Sequence, residues 1–187
     1  MSNSAQIQHD AFLNTPFGAV AILAFNQQLS VELLPKLNGF DFEGKKITGM
    51  DLEGKKLNVF LQADFCNENA LVKSAYKQIQ QYIQDPATRF NLPSNIGGTA
   101  FQQRVWQAIS AIPFGQTRTY GQLARSVGSG PRAVANACGA NNLPLIIPCH
   151  RVVGQNGLGG FMQSKPNGLQ VKHWLLAHEG AQGFAHE

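Results

Sequence analysis

Only three cysteines, Cys66, Cys138 and Cys149, occur in the 187 residues. No Cys-x-x-Cys pair is present, and no cysteine stands at zinc-ligand spacing from a histidine. A structural metal is therefore not expected, and nothing in the chain calls for a cofactor. An odd cysteine count without framework spacing excludes a disulfide scaffold and points to free thiols in a reducing compartment, hence the cytoplasm. No apolar run approaches the roughly 18 residues of a membrane-spanning helix, so no membrane partner is expected. The opening Met1-Ser2-Asn3-Ser4-Ala5-Gln6 has neither the basic nor the apolar region of a signal peptide.

Charge is missing from each half in a different way. Residues 1–87 have no arginine, and their 7 lysines stand against 9 carboxylates, a net of −2. Residues 88–187 carry 8 Lys and Arg but only Glu179 and Glu187, a net of +6. This asymmetry favours a polyanion-binding C-terminal half, although a solvated basic surface would look the same.

What is present sorts into two domains, residues 1–90 and 91–187. Phe17 to Phe25 reads as a strand, Asn26-Gln27-Gln28 as its turn, and Leu29 to Leu33 as the return strand. Glu43-Gly44-Lys45-Lys46 recurs as Glu53-Gly54-Lys55-Lys56, two similar turns in a small sheet. Leu71, Tyr76, Ile79 and Ile83 follow a helical period that stops at Asp85-Pro86. Prolines, Asn95 and Gly97-Gly98 mark a linker over 86–98. Beyond it, Thr99 and Gln102 have capping-box spacing ahead of a helix with Phe101, Val105, Trp106 and Ile109 on one face. Two short helices follow, from Tyr120 to Val127 and from Arg132 to Ala140, joined by Gly128-Ser129-Gly130. In a basic domain this pair reads as a helix-turn-helix, with an ordinary helical hairpin as the alternative. The second helix offers little but Arg132 and Asn136 as polar side chains, which suits a narrower groove than the major one. A last helix from about Leu169 to Glu179 has Leu169, His173 and Leu176 on one stripe. The expected fold is α+β: a small N-terminal antiparallel sheet with a helix, then a mostly helical domain.

The chemistry concentrates at Leu145-Ile146-Ile147-Pro148-Cys149-His150-Arg151-Val152-Val153. Pro148 cannot donate to a central ladder, so the segment reads as a short, extended, semi-buried turn. Cys149 has an imidazole and a guanidinium beside it, the setting that favours a thiolate, whereas most free cysteines are simply buried small side chains. In an extended segment neighbouring side chains diverge, so His150 would reach the sulfur through one water. Glu179 opposes the dipole at the end of its helix, which implies a partner, and His150 is the candidate. A nucleophile, base and orienting carboxylate would follow.

Pro148-Cys149-His150-Arg151-Val152, a glycine-rich loop and Trp174-Leu175-Leu176-Ala177-His178-Glu179-Gly180 together resemble the O6-alkylguanine-DNA alkyltransferase family (methylated-DNA–protein-cysteine methyltransferases). Phe114-Gly115, Tyr120 to Ala124 and Arg132-Ala133-Val134 match as well. The likeness is dense over 99–180 and loose at Thr15-Pro16-Phe17-Gly18. The resemblance implies a ribonuclease H-like N-terminal domain and a helix-turn-helix catalytic domain. It implies a monomer that repairs double-stranded DNA by moving the alkyl group of O6-alkylguanine, and of O4-methylthymine, onto Cys149 in a single turnover, with the base flipped out and the minor groove bound. It further makes His150 the water-mediated base, Glu179 its partner, Tyr120 the group that neutralises the departing guanine, and Asn141 the brace of the cysteine turn. Arg132, Ala133, Asn136, Arg151 and Tyr120 fall on DNA, and Gly160, Phe161 and Met162 on the substrate loop.

Two departures stand out. The loop over 159–168 is longer than the family's, and a main-chain donor at Pro166 would be lost for want of an N–H. Cys66 alone cannot form the N-terminal zinc site of some members. Three other readings compete: a lesion-recognising module without chemistry, a helix-turn-helix transcription factor, and a thiol hydrolase using Cys149, His150 and Glu179.

Overall fold

Val20, Ala21 and Ile22 are all fully buried, so the strand that carries them has both faces covered and sits in the middle of its sheet. In the computed structural model, which describes residues 10–26, 28–35, 47–50, 56–59, 69–93 and 97–184, this strand is β2 (Gly18–Phe25). It pairs antiparallel with β3 (Gln28–Pro35), Ile22 opposite Val31. A strand absent from the sequence reading, β1 (Ala11–Thr15), covers the other edge. β4 (Ile47–Met50) and β5 (Lys56–Val59) form a separate antiparallel pair. Gln27, Glu43-Gly44-Lys45-Lys46, Glu53-Gly54-Lys55, Cys66 and Asn95 lie outside the described residues.

Helix α1 (Ala70–Gln84) starts where the Asn69 side chain accepts from Leu71 N and ends at Asp85, ahead of Pro86. Its fully buried face is Val72, Ala75, Ile79 and Tyr82; of the expected stripe through Leu71, Tyr76, Ile79 and Ile83, Ile79 lies on it and the other three are partly buried against the same core. The sheet decides this phase, because β1 and β2 are what α1 packs on.

The helical half follows the expected order. Helix α2 (Ala100–Ser110) has the Thr99–Gln102 capping box, and a second box at Thr119–Gln122 opens α3 (Tyr120–Ser126). Helix α4 (Pro131–Gly139) has proline in its first turn, where no N–H is needed. Trp106 Nε1 donates to Ala137 O at 2.8 Å and ties α2 to α4. Two residues of β6 (Arg118–Thr119) run parallel to β7 (Val152–Val153), so the start of α3 is held beside the cysteine segment. Helix α5 (Gly168–His178) buries Val171, Lys172, Leu175, Leu176 and Ala177. Of the expected stripe, Leu176 is fully buried and His173 half-buried, but Leu169 is 47% exposed.

One apolar core runs through both halves, from Val20 and Ile22 through Ile79 and Tyr82 to Ile109, Val134 and Leu175. Each such fully buried aliphatic side chain contributes about 1.5–3 kcal/mol over leaving it exposed. Where the halves meet, Phe17 packs on Trp174 at 5.1 Å between centroids, and Trp174 stacks on His178 at 4.6 Å. Among the described residues no helix is long and apolar enough to cross a membrane.

Candidate active site

Cys149 does not sit in an extended segment. Cys149–Arg151 is a single 3-10 turn, closed by Arg151 N donating to Pro148 O at 3.0 Å. Leu145, just upstream, takes a left-handed φ of +73°, uncommon for a bulky residue. With three residues per turn, consecutive side chains leave in three directions rather than two. Cys149 points to a cleft of about 720 Å³ that it lines together with Tyr120, Asn136, Asn141, Phe161 and Met162. Cys149 as a whole is 7% exposed.

Asn141 braces this turn. Its Nδ2 donates to Ile147 O at 2.9 Å and lies 3.3 Å from Cys149 Sγ, while its Oδ1 accepts from Leu143 N. Burial pushes the Cys149 thiol up, and the Asn141 hydrogen bond and the Lys172 charge offset part of that rise.

His150 turns inward and is 1% exposed. Its Nε2 meets Glu179 Oε1 at 2.9 Å, the partnership expected from the misplaced carboxylate. Its Nδ1 is buried without a hydrogen-bond partner among the described residues. Burial lowers the imidazole below its ordinary range, against the pull of Glu179. Burial would raise Glu179, but the hydrogen bonds from His150 and Arg151 and their charges win and hold it well below the usual carboxylate range. The carboxylate also accepts from Tyr82 Oη at 2.9 Å and from Gly115 N at 3.3 Å.

Arg151, expected on DNA, turns its guanidinium inward: Nε and Nη2 grip Glu179 at 2.8 and 2.9 Å, and Nη1 donates to Ile112 O at 2.7 Å. A buried carboxylate needs a charged partner, and Arg151 is the nearest guanidinium. Tyr82 and Lys172 were missed. Tyr82 falls just outside the expected stripe of α1, next to Ile83. Lys172 Nζ is fully buried and donates to Val152 O, Leu158 O and Gly160 O at 2.6, 2.6 and 3.0 Å, fixing the loop to the floor of the site. Burial pulls this ammonium down to about 8. Its burial is the signal that sequence could not carry, since lysine on a helix is ordinarily exposed.

Tyr120 follows β6 directly and so lies beside the turn. Its hydroxyl donates to Gly160 O at 3.0 Å, and burial raises its pKa. Gly159 is the loop's close approach: it has φ +69°, and a Cβ there would lie 2.8 Å from the Tyr120 ring. Phe161 is buried, Met162 half-buried and Gly160 exposed. Pro166 is not part of the cleft wall, which Phe161 through Lys165 supply. Met162, Gln163 and Ser164 take three successive left-handed φ angles of 50°, 53° and 63°. Gln163 Nε2 reaches Gly139 O on α4 at 2.8 Å, and Lys165 meets Glu32 on β3 at 3.1 Å, so the long loop spans the cleft. On α4, Arg132 and Asn136 are exposed and Ala133 half-buried.

The family model of the 6-O-methylguanine DNA methyltransferase DNA-binding domain matches residues 100–181. A probable methylated-DNA–protein-cysteine methyltransferase of Acanthamoeba polyphaga mimivirus is 46% identical over 111 residues, which are 58% of this chain and 72% of that protein. The chain belongs to the methylated-DNA–protein-cysteine methyltransferase family. The crystal structure of the Mycobacterium tuberculosis O6-methylguanine methyltransferase superposes with a TM-score of 0.66 at 27% identity, over 92% of this chain and 93% of that one. The same organism's protein in complex with DNA gives 0.65 at 28% identity, over 90% and 91%. The likeness to these methyltransferases covers the sheet half as well as the helical half. Among the described residues of this methyltransferase, no group of three or more His, Cys, Asp or Glu side chains is placed to hold a metal.

Proposed function

We propose that this chain repairs DNA by taking the alkyl group of O6-alkylguanine onto Cys149, once per molecule. The observation that carries it is a buried thiol facing a cleft with room for a flipped base, with His150 and Glu179 paired behind it. Glu179 as hydrogen-bond acceptor puts the imidazole proton on Nε2, which leaves Nδ1 as the free base. The thiol proton passes through one water to Nδ1, and Glu179 stabilises the imidazolium formed. Sγ then attacks the alkyl carbon in line. The S–C bond forms as the C–O6 bond breaks, and the bonding pair leaves with the guanine. Tyr120 donates a hydrogen bond toward that guanine, the proton held by His150 returns through solvent to neutralise it, and the loop over 159–168 would supply a main-chain donor to its oxygen. Asn141 holds the sulfur in line. The product is a thioether, which water does not cleave, so the protein is spent. Mass spectrometry after incubation with O6-methylguanine duplex is expected to find one methyl, on the peptide holding Cys149. An unchanged mass would end this reading in favour of a lesion-binding module.

The basic half, the small-faced α4 and the exposed Arg132 support helix-turn-helix binding in the minor groove, with Ala133 and Asn136 against the backbone. An alkyl group inside a stacked duplex is out of reach of a buried sulfur, so the base must flip, and Arg132 fills its place. Arg132→Ala is expected to slow transfer from duplex by about 10- to 100-fold, the equivalent of a few kcal/mol of unstacking. Transfer from free O6-alkylguanine base should stay at the wild-type rate. Equal losses on both substrates would remove Arg132 from this role.

The long loop supports a distinct lesion range. Its left-handed turn and its ties to Gly139 and Glu32 set the cleft's outer wall. A panel of O6-methylguanine, O4-methylthymine and larger O6-alkylguanines should give different relative rates for the natural chain and a loop-shortened variant; identical profiles would refute the idea. We further read the sheet half with α1 as the ribonuclease H-like domain, place the boundary at residue 90, and take the protein as a cytoplasmic monomer that uses no cofactor.

A further inference from the structure

The Glu179 carboxylate receives a hydrogen bond from outside the helical half. Tyr82 comes from α1, fully 97 residues away in sequence, is 1% exposed and donates to Oε1 at 2.9 Å. Oε1 is also the oxygen that meets His150 Nε2 and accepts from Arg151 Nη2, so three donors share it. Tyr82 is itself held on every side. Its ring meets Phe90 at 5.6 Å and His178 edge-on at 5.4 Å, and its carbonyl pairs with His178 Nε2 at 2.9 Å. The aromatic run from Phe17 through Trp174 to His178 docks the sheet half against this same point.

We propose that Tyr82 is a positioning residue through which the N-terminal half sets the basicity of His150. This rests on the reading of His150 as the base. A donor on Oε1 draws carboxylate charge away from the His150 N–H. Without it, Glu179 holds the imidazolium more strongly and His150 takes up its proton at higher pH. The other groups acting on the pair are Arg151 on the carboxylate, the Gly115 N–H, and Lys172, whose charge opposes protonation of His150. All remain in place when only the phenol oxygen is removed. Burial and the neighbouring carboxylate raise Tyr82 well above its ordinary pKa, so it stays a donor across the working range.

The test is Tyr82→Phe in the full chain, which keeps the ring and its packing. Histidine-labelled protein without DNA is titrated by NMR. The His150 midpoint is expected to move up by about one pH unit, the scale of one charge-assisted hydrogen bond shared among three. The acid limb of single-turnover methyl transfer should move the same way. Replacing Tyr82 by 3-fluorotyrosine, a stronger donor, should move the midpoint down, which also serves if Tyr82→Phe fails to fold. A His150 midpoint that stays at the wild-type value in the folded variants, even with a lower melting temperature, would make Tyr82 a packing residue and overturn the proposal. Wild-type protein that takes up no methyl would instead sink the functional reading, while the titration still decides the role of Tyr82.

Discussion

Cys149→Ala protein is expected to take up no methyl group from O6-methylguanine duplex, while its melting temperature and its salt-dependent duplex binding stay close to wild type. The thiol makes one side-chain hydrogen bond, to Asn141, and its removal leaves a small void against the cleft rather than a hole in the core. Stability should therefore fall by about 1 kcal/mol or less, below the usual range for large core truncations. Function should vanish because nothing replaces the nucleophile. Cys138 lines the same cleft, but burial pushes its thiol up to about 12, and no base pairs with it among the described residues. Intact-mass spectra beside a duplex-binding titration check both halves of the expectation. Methyl uptake that persists in Cys149→Ala would move the acceptor elsewhere and end the proposed mechanism. Lost binding together with lost uptake would make Cys149 structural.

Glu179→Gln should have the largest effect on stability. The carboxylate is fully buried and takes five hydrogen bonds, from His150, Tyr82, Gly115 and two from Arg151. Glutamine has one acceptor oxygen, and its amide must face a donor, leaving the Arg151 charge buried without a counterion. Breaking such a pair costs about 3–5 kcal/mol. For a chain of this size that is a fall in melting temperature of about 10 °C. The pH dependence follows from the sign of the shift. Glu179 is held below its ordinary pKa in the fold, so its contribution is complete above about 4.3 and is lost as pH falls below that. Wild type should therefore destabilise steeply in acid, and Glu179→Gln should lose part of that slope. Methyl transfer should also slow by about 100-fold or more, since the imidazolium loses its partner. Denaturant melts from pH 3 to 7 with single-turnover rates decide it: a variant as stable as wild type would show that the network adds nothing.

Much of the site was legible because its signals are local. Pro148-Cys149-His150-Arg151 places a thiol, an imidazole and a guanidinium on consecutive residues. Glu179 stood out because a carboxylate at a helix C-terminus is unfavourable unless paired. The capping box at Thr99 closes within four residues, and the one at Thr119, of the same spacing, went unremarked. The errors came where packing chooses among near-equal options. The apolar pattern of α1 admits a stripe one residue wider, so Ile79 was on the expected face while Val72 and Tyr82 were not. On α5 the expected stripe held the buried Leu176 but also the exposed Leu169, and Lys172 went unremarked because lysine on a helix is ordinarily exposed. The resemblance put Arg151 on DNA, whereas its guanidinium is held by the buried Glu179 carboxylate.

The sequence by itself determined the family, the order of the helices and the pairing of His150 with Glu179, and it singled out Cys149 as the candidate nucleophile. Each of these depends on residue identity and short spacing. Only the tertiary structure decided that the cysteine segment turns as a 3-10 helix, that Arg151 faces inward, and that the N-terminal half reaches the Glu179 carboxylate through Tyr82. The reason is distance along the chain: the energy of a buried carboxylate is set by whichever donors the fold brings to it, and one of those donors lies on the far side of the linker.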